Sequence, residues 1–261
     1  MLNQEDSGWI IDLNPKKNHN ISLNIFCFHY AGSCASMFKE WCNLFPNNIK
    51  LYAIQLPGRE YRFDEKLISD MSVIVSSVLE ELVVLLDRPY ALLGHSMGAL
   101  ICYELCQSLK EKGFTPPLAL LLSGRDSPKY KWKSPDFSLM TDDELVEAVR
   151  EYDGTPDFFL DNDSLRELWL PRFRADLTAC VKYEHARLNK LDVPIFIMNG
   201  VDDQLTTETG LLDWSNYTKG KVKINYYKGD HFFVHNQVEK LSSDIIKYIF
   251  PILNNEVNMS I

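Results

Sequence analysis

The stretch from Tyr90 to Lys110 constrains the fold of this chain more than any other. Tyr90–Leu93 is a short apolar run, Gly94-His95-Ser96-Met97-Gly98 follows it, and Ala99–Lys110 is helical by pattern, with Gly113 beyond its end. The flanking glycines let a strand turn sharply into a helix and lift the serine side chain out of the turn. Where strands alternate with helices along a chain, a mainly parallel sheet is expected, because parallel neighbours need a crossover connection.

The rest of the chain keeps that rhythm. Ile21–Phe28 reads as a strand ending in the small-residue loop Ala31-Gly32-Ser33, and a helix from about Ser36 is expected to carry Met37, Trp41 and Leu44. Leu51–Leu56 is a second buried strand closed by Pro57-Gly58, and Met71–Leu86 gives an apolar helical stripe stopped by Asp87-Arg88-Pro89. Leu118–Leu122 and Pro194–Met198 are continuous apolar runs suited to strands covered on both faces, while Val222–Tyr227 alternates before Gly229-Asp230-His231. The expectation is one α/β domain over 1–261 with the α/β-hydrolase fold: a mostly parallel central sheet with helices on both faces. Between 128 and 192 the pattern is helical (Asp142–Tyr152, Ser164–Tyr183), with Pro156–Leu160 as an apolar connecting loop. This predicts a helical lid inserted over the sheet's C-terminal edge.

Composition narrows the classes. A chain of 261 residues with 46% hydrophobic and 24% charged residues can bury a sizeable core. A formal charge of −9 opposes nucleic acid and anionic membranes as partners. An acidic protein partner would need a local basic or apolar patch, and the run Lys129, Lys131, Lys133 reads first as a solvated loop. Met1–Gly8 lacks the apolar core of a secretory signal, and no apolar run approaches the roughly 20 residues of a membrane span, so the cytoplasm is expected. The six cysteines form no CxxC pair and mostly sit in apolar patterns, which predicts reduced thiols and neither zinc nor a disulfide framework.

A serine hydroxyl is a poor nucleophile until a base accepts its proton. In this fold the order along the chain is Ser, then acid, then His. His231, just past a predicted strand, is the candidate base; His235 is a weaker one, and His95 is expected to point elsewhere in a structural role. The acid comes from Asn199-Gly200-Val201-Asp202-Asp203, where only one of the adjacent carboxylates can face the imidazole; Asp203 is preferred and Asp202 is left as a turn residue. Two donors are needed for an oxyanion: the N–H of Met97 and one from the loop His29–Ser33, with Ala31 as the candidate and Tyr30 as either pocket wall or core.

Four separated segments then carry a resemblance: Phe26–Gly32, Gln55-Leu56-Pro57-Gly58-Arg59-Glu60-Tyr61-Arg62, Leu93–Ala99 and Gly229–Phe233. Leu170-Pro171-Arg172-Phe173-Arg174-Ala175-Asp176 adds to it. Together they resemble the type II (editing) thioesterases of nonribosomal peptide and polyketide synthesis, and the similar medium-chain acyl-carrier-protein thioesterases. The resemblance implies hydrolysis of acyl or aminoacyl thioesters from the phosphopantetheine arm of acyl or peptidyl carrier proteins, with no cofactor beyond the arm that the substrate itself carries. Release of a finished product, acyl transfer, or non-catalytic binding to a synthase are the competing readings. Where that family usually has Pro and a second Gly, this chain has His29 and Ser33. Arg59 and Arg62 read equally as carrier-protein contacts or as ion-pair partners that hold their loop, and Phe158, Phe159, Trp169 and Phe173 as tunnel lining or core.

Overall fold

The computed structural model describes residues 8–16, 20–130, 135–151, 157–187 and 189–259. Met1–Ser7, Lys131 and Lys133 of the basic run, Tyr152 and Pro156 lie outside the described residues.

A seven-stranded sheet runs through the molecule in the order β1-β3-β2-β4-β5-β6-β7. Its strands are β1 (Ile10–Asp12), β2 (Leu23–Phe28), β3 (Ile49–Ile54), β4 (Tyr90–His95), β5 (Leu120–Ser123), β6 (Ile195–Gly200) and β7 (Val222–Tyr227). All neighbours pair in parallel except β1, which lies antiparallel to β3. Successive residues of the inner strands serve opposite faces: Phe26, Phe28, Leu120 and Leu122 belong to one apolar cluster, Ile25, Cys27 and Leu121 to the other. Burial on both faces explains why these strands read as unbroken apolar runs.

Helices α1 (Met71–Leu82) and α2 (Met97–Glu111) cover the first face. Between β5 and β6 come α3 (Asp142–Glu151), α4 (Asp157–Leu160) and α5 (Asp163–Val181), with no strand among the described residues of that segment. After β6 follow α6 (Glu208–Leu212), α7 (Phe233–Asn236) and α8 (Val238–Met259), and α8 packs on the second face through Leu241, Ile245 and Ile249.

Two expectations change. The helix expected from Ser36 is two short 3-10 turns, Ala35–Phe38 and Trp41–Asn43. The backbone bonds there close over three residues, Lys39 N–H to Ser36 O and Leu44 N–H to Trp41 O, each at 3.0 Å, and the buried residues Ala35, Phe38, Trp41 and Cys42 fall near helical spacing all the same. Pro156–Leu160 is not wholly a loop: Asp157–Leu160 forms α4, since Arg150 pairs with Asp157 and with Asp161 at 2.9 Å and so clamps both ends of that turn. Phe158, a candidate for tunnel lining, is 68% exposed on it. Strand β1 had no sequence signal, because three residues are too few for a period to show.

Candidate active site

Strand β4 ends at His95 and α2 starts at Met97, so Ser96 makes the turn alone, with φ 55° and ψ −112°. A side chain at that φ is strained by about 1–3 kcal/mol and persists only where its surroundings hold it. The Ser96 N–H donates to the Ser123 carbonyl at 2.8 Å, and the Ser96 carbonyl accepts from Ala99 at 3.1 Å. A Cβ on Gly94 would stand 2.2 Å from the Gly98 carbonyl oxygen, and one on Gly98 2.2 Å from that of Phe28. Both glycines are thus dictated by the close approach of α2 to β4 and β2.

His231 follows β7 in the turn opened by Gly229, whose φ is +124°. Its Nδ1 lies 2.8 Å from Asp203 Oδ2, and the Asp203 side chain is 0% exposed. A carboxylate can only accept, so Nδ1 carries the hydrogen and Nε2 is left free to take a proton. The other carboxylate oxygen, Oδ1, accepts from the Leu205 N–H at 2.8 Å, which fixes the carboxylate plane. Asp202 is exposed, and its N–H donates to Gly229 at 3.0 Å; the two loops are laced together by the backbone of Asp202 while the side chain of Asp203 faces the ring.

His95, expected in a structural role, is buried and packed against His231. Strand alternation should send it away from its neighbour, but Ser96 leaves the strand at positive φ, and the His95 ring sits 4.8 Å from that of His231. This contact puts the His231 imidazole beside the serine turn. Gly124, at φ +60°, passes under both rings, where a Cβ would lie 2.6 Å from His95 and 3.1 Å from His231. His95 is bonded through Nδ1 to Ser123 Oγ at 3.0 Å, and burial, then the neighbouring histidines, hold its pKa well below the ordinary value. His235 is taken by Tyr30, whose hydroxyl lies 3.0 Å from its Nε2. Tyr30 packs edge-on against His95 and Phe232, as a wall of the site.

The loop after β2 starts against the same turn, since the Phe28 and His29 carbonyls face Gly98. Ala31 is buried there, and Gly32, at φ +81°, donates its N–H to Asp176 Oδ2 at 2.7 Å. Arg59 grips the same carboxylate with both terminal nitrogens, at 2.7 and 3.0 Å, and also donates to Ser33 O at 3.1 Å. Arg62 turns inward too, with Nε 2.8 Å from Glu65 Oε1 and NH1 2.8 Å from the Gln55 carbonyl. Of the two readings of these arginines, internal ion pairing is the one the structure displays. Met97 opens α2, so its N–H is among those a first helical turn leaves without an intrahelical acceptor.

A strained serine at a strand-helix turn and a buried His-Asp pair whose ring packs on the serine's neighbour are features of a serine hydrolase, and the thioesterase domain family matches residues 24–249 of the chain. The chain belongs to the thioesterase family. It is 35% identical over 245 residues to the gramicidin S biosynthesis protein GrsT of Aneurinibacillus migulanus, covering 94% of this chain and 95% of that protein. It is 30% identical to the medium-chain S-acyl fatty acid synthase thioesterase of Anas platyrhynchos, over 92% and 96% of the two chains. Among solved structures it resembles the type II thioesterase BorB of the borrelidin biosynthetic cluster, with a TM-score of 0.83, 28% identity and coverage of 92% and 97%. The sheet and its helices are those of the α/β-hydrolase fold.

Two features of this thioesterase escaped the sequence. Asp176 was visible only as part of a matching segment; its signal was a lone acid among the apolar residues Ala175, Leu177, Ala179 and Cys180 of a helix. Gly124 and Ser123 gave none, because their importance lies in the rings that pack on them. A cavity of about 520 Å³ between α1, α2 and the end of α5 is lined by Val75, Glu104, Ser108 and Arg187, well along α2 from Ser96. Among the described residues no helix is long and apolar enough to cross a membrane.

Proposed function

We propose that this thioesterase cleaves acyl or aminoacyl groups from the phosphopantetheine thiol of carrier proteins, and that Ser96, His231 and Asp203 perform the reaction. The observation that most supports the reading is the buried 2.8 Å contact of His231 Nδ1 with Asp203, which leaves the ring's second nitrogen as the one that could take a proton, in a ring packed on His95, the neighbour of Ser96. His231 Nε2 takes the Ser96 proton as Oγ attacks the thioester carbonyl. The N–H groups of Met97 and Ala31 receive the oxyanion. Collapse expels the pantetheine thiolate, which takes the proton from His231. A water, deprotonated by the same nitrogen, then attacks the Ser96 ester and releases the carboxylic acid. The arm arrives with the substrate, so the mechanism asks for no resident cofactor. The cytoplasm is the compartment of this reading.

Two similarities support the substrate class: GrsT is named for gramicidin S biosynthesis, and BorB is a type II thioesterase of a biosynthetic cluster. The fatty acid synthase relative favours a second reading, in which the acyl group is a medium-length fatty chain. A panel of carrier proteins loaded with short acyl, aminoacyl and medium-chain acyl groups separates them by the rates of free acid release. Ser96→Ala is expected to be inactive throughout. Asp203→Asn should lower kcat by about 10³–10⁴-fold, as loss of the orienting acid does in such triads, while Asp202→Asn stays within about threefold. Retained activity in Ser96→Ala would sink the assignment.

A further inference from the structure

The buried ion pair of Asp176 and Arg59 joins the helical segment between β5 and β6 to the loop that carries Ala31. We infer that Asp176, held by Arg59, is a positioning residue for the Ala31 oxyanion donor; the inference rests on the Ser96 mechanism proposed above.

Three observations carry it. First, the contact is to backbone: Asp176 Oδ2 accepts the Gly32 N–H at 2.7 Å. That N–H shares a rigid peptide plane with the Ala31 carbonyl, so fixing it leaves a single φ/ψ pair between the anchor and the Ala31 N–H. The loop needs such an anchor, since Gly32 at φ +81° stands where glycine's freedom is greatest. Second, Phe173, one turn earlier on α5, presses on the same point: a Cβ on Gly32 would lie 2.2 Å from its ring. Residues 173 and 176 share a helix face and hold Gly32 by contact and by hydrogen bond. Third, stability alone does not account for the charges. Asp176 is 0% and Arg59 5% exposed, and well-packed apolar side chains commonly replace a buried pair of this kind without loss of stability. An apolar pair could not accept the Gly32 N–H. The carboxylate oxygens also have set tasks: Oδ1 takes Arg59, while Oδ2 takes both Arg59 and Gly32. Arg59 extends the grip by donating to Ser33 O at 3.1 Å, one residue beyond Gly32.

The test compares the wild type with the double variant Arg59→Met, Asp176→Leu, using the carrier thioester turned over fastest in the panel above. The double variant is expected to fold with a somewhat lowered melting temperature, because the Gly32 N–H loses its acceptor, to keep KM within about threefold, and to lose about 10- to 100-fold in kcat, short of or near the loss of one oxyanion donor. A purely structural pair predicts a folded variant with wild-type kcat. That result overturns the inference, as does a loss confined to KM. Should the double variant not fold, Asp176→Asn takes its place: its weaker, uncharged acceptor is expected to cost about tenfold in kcat at unchanged KM, and wild-type kcat overturns the inference. Ser96→Ala, run alongside, keeps the two readings apart. Activity in that variant removes the nucleophile assignment itself, whereas an inactive Ser96→Ala with a fully active double variant removes only the role of Asp176.

Discussion

His29 occupies the position after β2 where resembling sequences usually have Pro, and it is 2% exposed. Its Nδ1 lies 2.8 Å from the Tyr30 carbonyl. Burial first, and the Arg59 guanidinium second, hold its pKa down to about 4. In the unfolded chain the same ring takes a proton near the ordinary value of about 6.5. As pH falls between these values the unfolded state binds the proton and the folded state does not, so stability is full above about 6.5 and declines toward about 4. A completed shift of this size corresponds to roughly 3 kcal/mol, and the depressed His95 acts in the same direction. Urea unfolding of His29→Gln between pH 7 and 4.5 should show a flatter acid limb than the wild type; an identical slope would rule out His29 as its source. At this scale the sequence singled out Ser96 and His231, each marked by its own glycines. It could only prefer Asp203 over Asp202, since adjacent carboxylates differ in nothing but direction, and direction came from the Asp202 N–H bond to Gly229.

At the scale of elements, the loop from Asp203 to α6 is held from β5. Asp126, just past that strand, accepts the Thr207 N–H and hydroxyl, each at 3.0 Å, and Thr207 in turn caps α6 by accepting from Gly210. The fit is close, for a Cβ on Gly210 would lie 2.1 Å from Asp126 Cγ. Burial raises the Asp126 pKa, and the two Thr207 donors oppose that rise. Asp126→Ala is therefore expected to cost about 1–3 kcal/mol and to lower kcat, because the loosened loop also presents Asp203 to His231. Thermal melts and kcat on the preferred thioester check both halves; unchanged kcat in a destabilised protein would confine Asp126 to stability. The helices around the sheet announced themselves by period: α1, α2, α3 and α5 begin and end within a few residues of expectation. The stretch from Ala35 to Asn43 did not, since 3-10 turns place buried residues at spacings that imitate an α-helix.

Over the whole molecule, charge is the property a partner meets first. The chain carries −9, and Arg59 and Arg62 are engaged internally, leaving them unavailable to an acidic carrier protein. Net repulsion should then slow encounter at low ionic strength. Raising salt from about 0.02 to 0.15 M shortens the screening length to about 8 Å and is expected to lower KM for a carrier thioester while leaving KM for an acyl pantetheine thioester unchanged. A KM for the carrier that rises with salt would instead point to a basic docking patch, and would refute the repulsion.

By itself the sequence determined the mostly parallel sheet, the Gly-x-Ser-x-Gly turn at Ser96, the loops that carry Asp202, Asp203 and His231, and the resemblance to thioesterases. These are local or periodic properties, written in glycines, in apolar period and in short motifs that need no distant partner. Tertiary structure alone decided which carboxylate faces His231, that His95 lies against it, and that Arg59 turns inward to an aspartate far along the chain. Each of these depends on the direction of a side chain within a packed interior. The Gly-x-Ser-x-Gly turn could be found from its letters, but the side chains that hold the surrounding loops in place become visible only when the chain has brought them together.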